Sequence, residues 1–258
     1  MKLTNDWIVG FVDGDGHFGY GNTKQKTDRF YFVISQDKRS VDVLYAIKSF
    51  FKCGSVHKAG KNMMEYKVTS KKHLVDIIIP FFEQNPLQTK KQISFIKLAD
   101  TCLTEIRALN LRSKKQLTDQ WLLGFLDAEA SFVCSKNGRR FLPQIILGLN
   151  PKDKEILDRI QQWIGYGIRY SRKDKTEIFQ LSSQPDLYRF INQFLLTKGS
   201  KDQLRTQKRI QVRKWCKLVI FLYTKQHLTS DGFLKACHKF DLFKKAKVED
   251  RVRSYSKD

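Results

Sequence analysis

The stretch LTNDWIVGFVDGDG at residues 3–16 comes back as LTDQWLLGFLDAEA at residues 117–130. Trp7 recurs as Trp121, Gly10 as Gly124 and Asp15 as Glu129, one constant shift of 114 positions (129 minus 15). A chain with such an internal repeat builds one supersecondary unit twice, and that constraint precedes every element assignment. Each copy reads as a helix opening on an N-capping threonine, Thr4 or Thr118, with acidic or amide residues just behind it. Gly10 and Gly14, like Gly124 and Ala128, lie four apart and share a helical edge where another backbone can come close. The natural partner is the other copy, packed across a pseudo-twofold axis. With both helices running the same way, Asp15 and Glu129 arrive side by side at their C-terminal ends. Two carboxylates crowded at the negative end of two helix dipoles are unfavourable unless a cation sits between them. A hard divalent ion such as Mg²⁺ is the expected occupant, since it takes carboxylate oxygens and keeps waters and phosphates as its other ligands. Asp13 and Asp127 are expected as caps or interface hydrogen-bonders instead.

Charge points to the partner. Lys and Arg number 48 against 26 Asp and Glu, a formal charge of +22 over 258 residues. A surplus this large favours a polyanion, with an attraction that weakens steeply as salt rises. Cys53, Cys102, Cys134, Cys216 and Cys237 have no C-x-x-C spacing, so they read as reduced thiols of an intracellular protein and suggest no zinc site. The five histidines lack metal-ligand spacing, which argues against the histidine-metal nucleases. No apolar run reaches membrane-spanning length, so no membrane partner is expected, and no targeting signal is seen.

Between the two signature stretches the element order also repeats. Residues 17–23 and 29–36 alternate around a polar turn and form a hairpin; Ser40 caps a helix carrying Val41, Leu44, Ile47 and Phe51; a second hairpin spans 54–58 and 63–69; two helices broken at Pro86 follow. The second copy runs in the same order, with hairpins at 131–136 with 141–150 and within 166–182, and an amphipathic stripe at Ile156, Leu157, Ile160, Trp163 and Ile164. The expected fold is α+β: two pseudo-symmetric αββαββα half-domains, each with a four-stranded antiparallel DNA-binding sheet, joined through paired central helices. The expected boundaries are 1–109 for the N-terminal half, 110–116 for a short basic linker, 117–220 for the C-terminal half and 221–258 for a Lys-rich basic C-terminal extension, read as a solvated tail ahead of a helix against the body or a further backbone contact.

A β-ribbon can enter the major groove, where each base pair shows its own donor and acceptor pattern. Outward candidates for DNA contact are Asn22, Lys24, Lys26, Arg29, Tyr31, His57 and Lys67 in the first half. In the second they are Ser135, Asn137, Arg139, Arg140, Gln144, Arg169, Arg172 and Lys173. Arg and Gln suit guanine and adenine edges, while turn lysines hold phosphates and set register. Because the halves differ in sequence, the target is expected to be long and asymmetric.

The two stretches resemble the paired signature helices of the LAGLIDADG homing endonucleases in their monomeric, two-repeat form, with residues 8–16 and 122–130 covering the nine signature positions. The last glycine of the signature is Ala130 in the second copy. The resemblance implies a site-specific, divalent-metal-dependent double-strand DNA endonuclease, intron-encoded and therefore organellar, that leaves staggered 3′ overhangs. It places metal at Asp15 and Glu129, with Gly14 and Ala128 beside them, and implies Mg²⁺, with Mn²⁺ able to substitute and Ca²⁺ supporting binding without cleavage. It also points to a polar residue at the end of the second hairpin strand, Gln36 in the first half and Asn150 or Leu149 in the second. A basic residue after the proline break is implied too, here Lys90 and Lys198. The same scaffold serves intron RNA maturases, so intron RNA is a second expected partner. A non-catalytic DNA-binding regulator fits less well, since no helix-turn-helix pattern is evident.

Overall fold

A computed structural model describes residues 3–22, 28–103, 115–196 and 204–252. Lys24, Lys26 and Lys198 and most of the expected linker lie outside these, and the side chains of Asn22 and Arg29 are not described. Two compact units divide the chain, Met1–Glu129 and Ala130–Asp258.

The first unit opens with α1 (Asn5–Asp15), capped as expected by Thr4, whose hydroxyl accepts from the Trp7 amide at 3.2 Å. Strands β1 (Gly16–Asn22) and β2 (Asp28–Asp37), helix α2 (Val41–Phe51), and strands β3 (Ser55–Lys58) and β4 (Met63–Val68) follow. They form a four-stranded antiparallel sheet in the order β1-β2-β4-β3. A helical run then passes from α3 (Lys71–His73) through a π segment, Leu74–Ile78, into α4 (Ile79–Gln84), and after Pro86 comes α5 (Lys91–Leu103). Alternation along β1, β2 and β4 turns Phe18, Phe32, Ile34, Tyr66 and Val68 to one face, all buried. Phe51 of α2, Phe82 of α4 and Phe95 of α5 close on that face, mostly edge to ring at centroid separations of 5.2–6.3 Å. One face of the sheet is thus committed to the core, and the other stays open.

The second repeat's signature helix, α6 (Asp119–Glu129), belongs to this same unit. The packing boundary therefore falls after Glu129, later than the sequence repeat places it.

In the second unit, β5 (Ser131–Asn137), β6 (Arg140–Leu149), α7 (Lys154–Ile164), β7 (Ile168–Ser171) and β8 (Glu177–Leu181) rebuild the same sheet, in the order β5-β6-β8-β7. Helix α7 buries Ile156, Leu157, Ile160 and Ile164 and ends on Gly165, whose φ of +83° is the left-handed conformation a helix stop of this kind requires. Next come α8 (Gln184–Phe190), a second π segment, Ile191–Leu195, and α9 (Lys208–Tyr223). Trp215 of α9 is fully buried against Phe132, and its ring N–H donates to the Val133 carbonyl at 2.8 Å.

Of the readings open for the segment beyond residue 220, the structure has the helix against the body and not the solvated tail. Helix α9 runs on to Tyr223, and α10 (Ser230–Val252) is a packed helix with Ala236, Phe243 and Ala246 buried. The Lys-rich composition of this stretch hides a 233, 236, 240, 243 apolar spacing that is helical. Among the described residues, no helix is long and apolar enough to cross a membrane.

Candidate active site

Two helices meet here backbone to backbone. A Cβ built on Gly10 would collide with the Trp121 carbonyl, and one on Gly124 with the Trp7 carbonyl, so the contact is reciprocal. Further along, a Cβ on Gly14 would collide with Ala128 and lie 3.1 Å from Glu129 Cγ. Residue 14 thus meets residue 128, its repeat counterpart, which makes α1 and α6 parallel and brings both acid-bearing ends together. Gly10, Gly14, Gly124 and Ala128 form the small-residue interface expected of them. The hydroxyl of Thr118, which caps α6 by accepting from the Trp121 amide at 3.1 Å, also donates to Asp6 at 2.9 Å.

Asp13 is 3% exposed, yet four donors converge on it. The Gln88 amide reaches both oxygens at 3.1 and 2.9 Å, the Thr89 amide and hydroxyl reach Oδ1 at 3.0 and 2.7 Å, and the Trp121 ring N–H reaches Oδ2 at 2.9 Å. Burial pushes this carboxyl above its ordinary range, and the bonds from Gln88, Trp121 and Thr89 pull it back. Asp13 is therefore an interface hydrogen-bonder that ties the loop before α5 to both central helices. The matching ring N–H of Trp7 is buried with no partner among the described residues, so the pseudo-symmetry stops short of this hydrogen bond.

Asp15, half-buried at the tip of α1, accepts from the Gln36 amide through Oδ2. Gln36 reaches it because β1 leaves α1 directly and pairs with β2, setting Gly16 opposite Ile34 and Gln36 just beyond. The ammonium of Lys91, the first residue of α5, donates to the Gly14 carbonyl and lies 3.3 Å from the Val12 carbonyl. It caps the negative end of α1 beside Asp15. Lys90 is exposed, and it is Lys91 that reaches the helix end. Both lysines follow the same proline break, Lys90 in the turn before α5 and Lys91 at its first residue.

In the second repeat the strand register settles the open choice. Gln36 pairs with Met64 two residues beyond the Ile34–Tyr66 pair, and Leu149 pairs with Glu177 two residues beyond Leu147–Phe179. Leu149 is the counterpart of Gln36. Asn150 matches Asp37 instead, since each caps the short 3₁₀ turn that follows by accepting from the amide two residues on. The last signature position needs no left-handed backbone, since Gly16 has φ of −78°; at Gly16 it is the side chain and carbonyl of Val12 that leave no room for a Cβ.

Among the described residues, no cluster of three or more His, Cys, Asp or Glu is arranged to hold a metal. Two carboxylates with carbonyls nearby make an oxygen-only donor set, which fits a hard cation that keeps most of its water and phosphate ligands. Gly14 already gives its carbonyl to Lys91. Burial pushes the Cys102 and Cys134 thiols up to about 11 and Cys216 to about 12, which keeps these three protonated and poorly nucleophilic at neutral pH.

Each sheet presents its own open face. On the first, Tyr31 lies 3.4 Å from the His17 ring, Lys67 sits over the Tyr31 ring at 5.7 Å, and His57 is 3.6 Å from Glu65. His17 and Glu65 are not among the expected DNA contacts, although strand alternation turns Glu65 outward with Lys67 and sets His17 beside Tyr31. On the second, the register sets Ser135, Asn137, Arg140 and Gln144 on one face, with Arg139 in the hairpin turn and Arg172 and Lys173 exposed at the next. Arg169 is a correction. It pairs with Phe179 on the core-facing side, and its guanidinium is held by Asp158 at 3.0 Å, Glu177 at 3.4 Å and the Ile178 carbonyl at 3.0 Å. A one-residue slip in strand parity put it on the wrong face.

Comparison with known proteins agrees with this geometry. The family model for LAGLIDADG endonuclease matches residues 8–102 and again 122–219. A probable intron-encoded endonuclease of Schizosaccharomyces pombe, Cox1-I1b, is 32% identical over 155 residues, 49% of this chain and 40% of that relative's length. An uncharacterised cox1 intron-2 protein of the same organism is 26% identical over 90% of this chain and 72% of its own length. The solved structure of I-SmaMI, bound to uncleaved DNA target in the presence of calcium ions, shares the fold with a TM-score of 0.75 at 19% identity, covering 93% of this chain and 98% of that one.

Proposed function

The chain belongs to the LAGLIDADG endonuclease family, and on that premise we propose that it is a monomeric, site-specific endonuclease that makes a staggered break in a long, asymmetric DNA duplex. One observation carries this reading: the parallel packing of α1 and α6, with Gly14 against Ala128 and Glu129, which sets two acid-tipped helix ends side by side. Kinship with intron-encoded proteins supports an intron-encoded, organellar origin.

Asp15 and Glu129 would hold divalent ions, Mg²⁺ by preference, with Mn²⁺ able to substitute and Ca²⁺ supporting binding alone. Such an ion supplies an activated water and neutralises charge on the phosphate in flight. Gln36, by donating to Asp15 Oδ2, fixes the rotamer of that carboxylate and leaves its own carbonyl oxygen to accept from a water. The Lys91 ammonium, held at the end of α1 beside Asp15, would offset negative charge growing on the phosphate oxygens. Duplex DNA is the substrate this charge distribution suits, and the open sheet faces supply the contacts that choose the sequence.

The test is incubation of the full chain with a randomised duplex pool in Mg²⁺ and then in Ca²⁺, sequencing what is cut and what is retained. Cutting at one long motif in Mg²⁺, retention of it in Ca²⁺ and loss of cutting in EDTA are expected. Asp15→Asn and Glu129→Gln should each lower cleavage about a thousandfold while affinity in Ca²⁺ stays within a few fold. Full cleavage by either variant removes these acids from the mechanism. Retention without cutting in any metal would favour the RNA maturase reading instead.

A further inference from the structure

Beside the buried Ala236, Phe243 and Ala246, helix α10 turns a neighbouring edge toward the β5–β6 hairpin. Phe233, Cys237 and Phe240, spaced i, i+4, i+7, point at the distal end of the β5–β6 hairpin. The Phe233 and Phe240 rings stand 5.9 and 5.8 Å from that of Phe141, which is 5% exposed. The Lys136 ammonium lies 3.2 Å from Cys237 Sγ and 5.2 Å from the Phe233 centroid. Over the same ring, at 4.5 Å, sits the guanidinium of Arg139, from the hairpin turn where Gly138 has φ of +56°. Lys136 and Phe141 pair with each other and share the core-facing side of the strands, so α10 approaches the hairpin from behind its open face.

We propose that α10 is a splint for the β5–β6 hairpin and that Phe233 is a positioning residue, holding Arg139 ready to contact duplex DNA. A two-stranded tip that projects from its sheet is marginally stable alone. A guanidinium flat on an aromatic ring keeps its N–H edge free for phosphate or base oxygens and surrenders little rotamer freedom on binding. The inference rests on the DNA reading above and adds to it a task for the C-terminal helix that the repeat does not contain.

The experiment measures affinity of the full chain for a randomised duplex pool in Ca²⁺ across a salt series. Phe233→Leu keeps an apolar side chain but removes the π face; Phe233→Tyr keeps the face. Arg139→Lys keeps the charge but cannot stack, and its exposed position spares the fold. Phe233→Leu should weaken binding about five- to tenfold and lower the slope of log K against log salt by about one, although no charge has been removed. Arg139→Lys should weaken binding to a similar degree, Phe233→Tyr should restore it, and the double variant should be no worse than either single one. A merely structural Phe233 would leave the slope unchanged and add to Arg139→Lys. Wild-type affinity in Phe233→Leu or in Arg139→Lys overturns the proposal alone, whereas a wild-type chain that fails to retain duplex overturns the DNA reading and this one with it.

Discussion

Asp13 shows how much a single side chain can be asked to hold. Its carboxylate takes bonds from a loop 75 residues away and from the partner helix, in a site without solvent. Asp13→Asn turns one acceptor oxygen into a donor facing other donors. The variant should lose about 2–3 kcal/mol of stability, read from its denaturant midpoint, because at least one buried N–H is left unpaired. At the helix tip the comparison that matters is between adjacent lysines. Lys91→Ala should slow cleavage about a hundredfold, while Lys90→Ala stays close to wild type in strand-cleavage assays. That distinction could not be read beforehand, because sequence places both lysines just after Pro86 and only the folded backbone there decides which ammonium donates to the Gly14 carbonyl. Asp15 and Glu129 stood out in the sequence because their chemistry and their repetition coincide, and Gln36 came from family resemblance. Arg169 misled for the opposite reason: an arginine in a short strand says nothing about which face it takes until its pairing is known.

Elements are where the repeat was most informative. Small residues four apart predict close helix packing, and the structure meets that prediction at Gly10 and Gly124, where carbonyls of the partner helix fill the space a Cβ would need. Gly10→Ala and Gly124→Ala should therefore each cost about 3 kcal/mol or more in unfolding experiments, by forcing the helices apart. Gly138→Ala has open space around it and only a positive φ to overcome, so about 1 kcal/mol is expected. The strands were readable from alternation, and α7 from its apolar stripe. The π segments at Leu74–Ile78 and Ile191–Leu195 were not, since a π turn leaves the apolar spacing nearly helical and changes only which carbonyl accepts. Helix α10 was legible only as one reading among others, because abundant lysine masks the helical spacing of Phe233, Phe240 and Phe243.

At the scale of the whole molecule the formal charge of +22 governs association. Affinity for duplex should fall about a thousandfold or more as salt rises from about 50 to about 200 mM, with much of the loss in the association rate. Stopped-flow binding in Ca²⁺ would check both, and a flat response would mean that charge plays little part in recognition.

Helix α6 packs with α1 inside the first unit, while the strand that follows it opens the second. A recombinant joined at residues 110–116 would thus bring in a foreign α6 to sit on a resident α1, where carbonyl oxygens and glycines tolerate no mismatch. A crossover at Ala130 instead inherits the matched pair and exchanges only what lies downstream. For a lineage that diversifies by trading halves, the safe seam comes after the second acid.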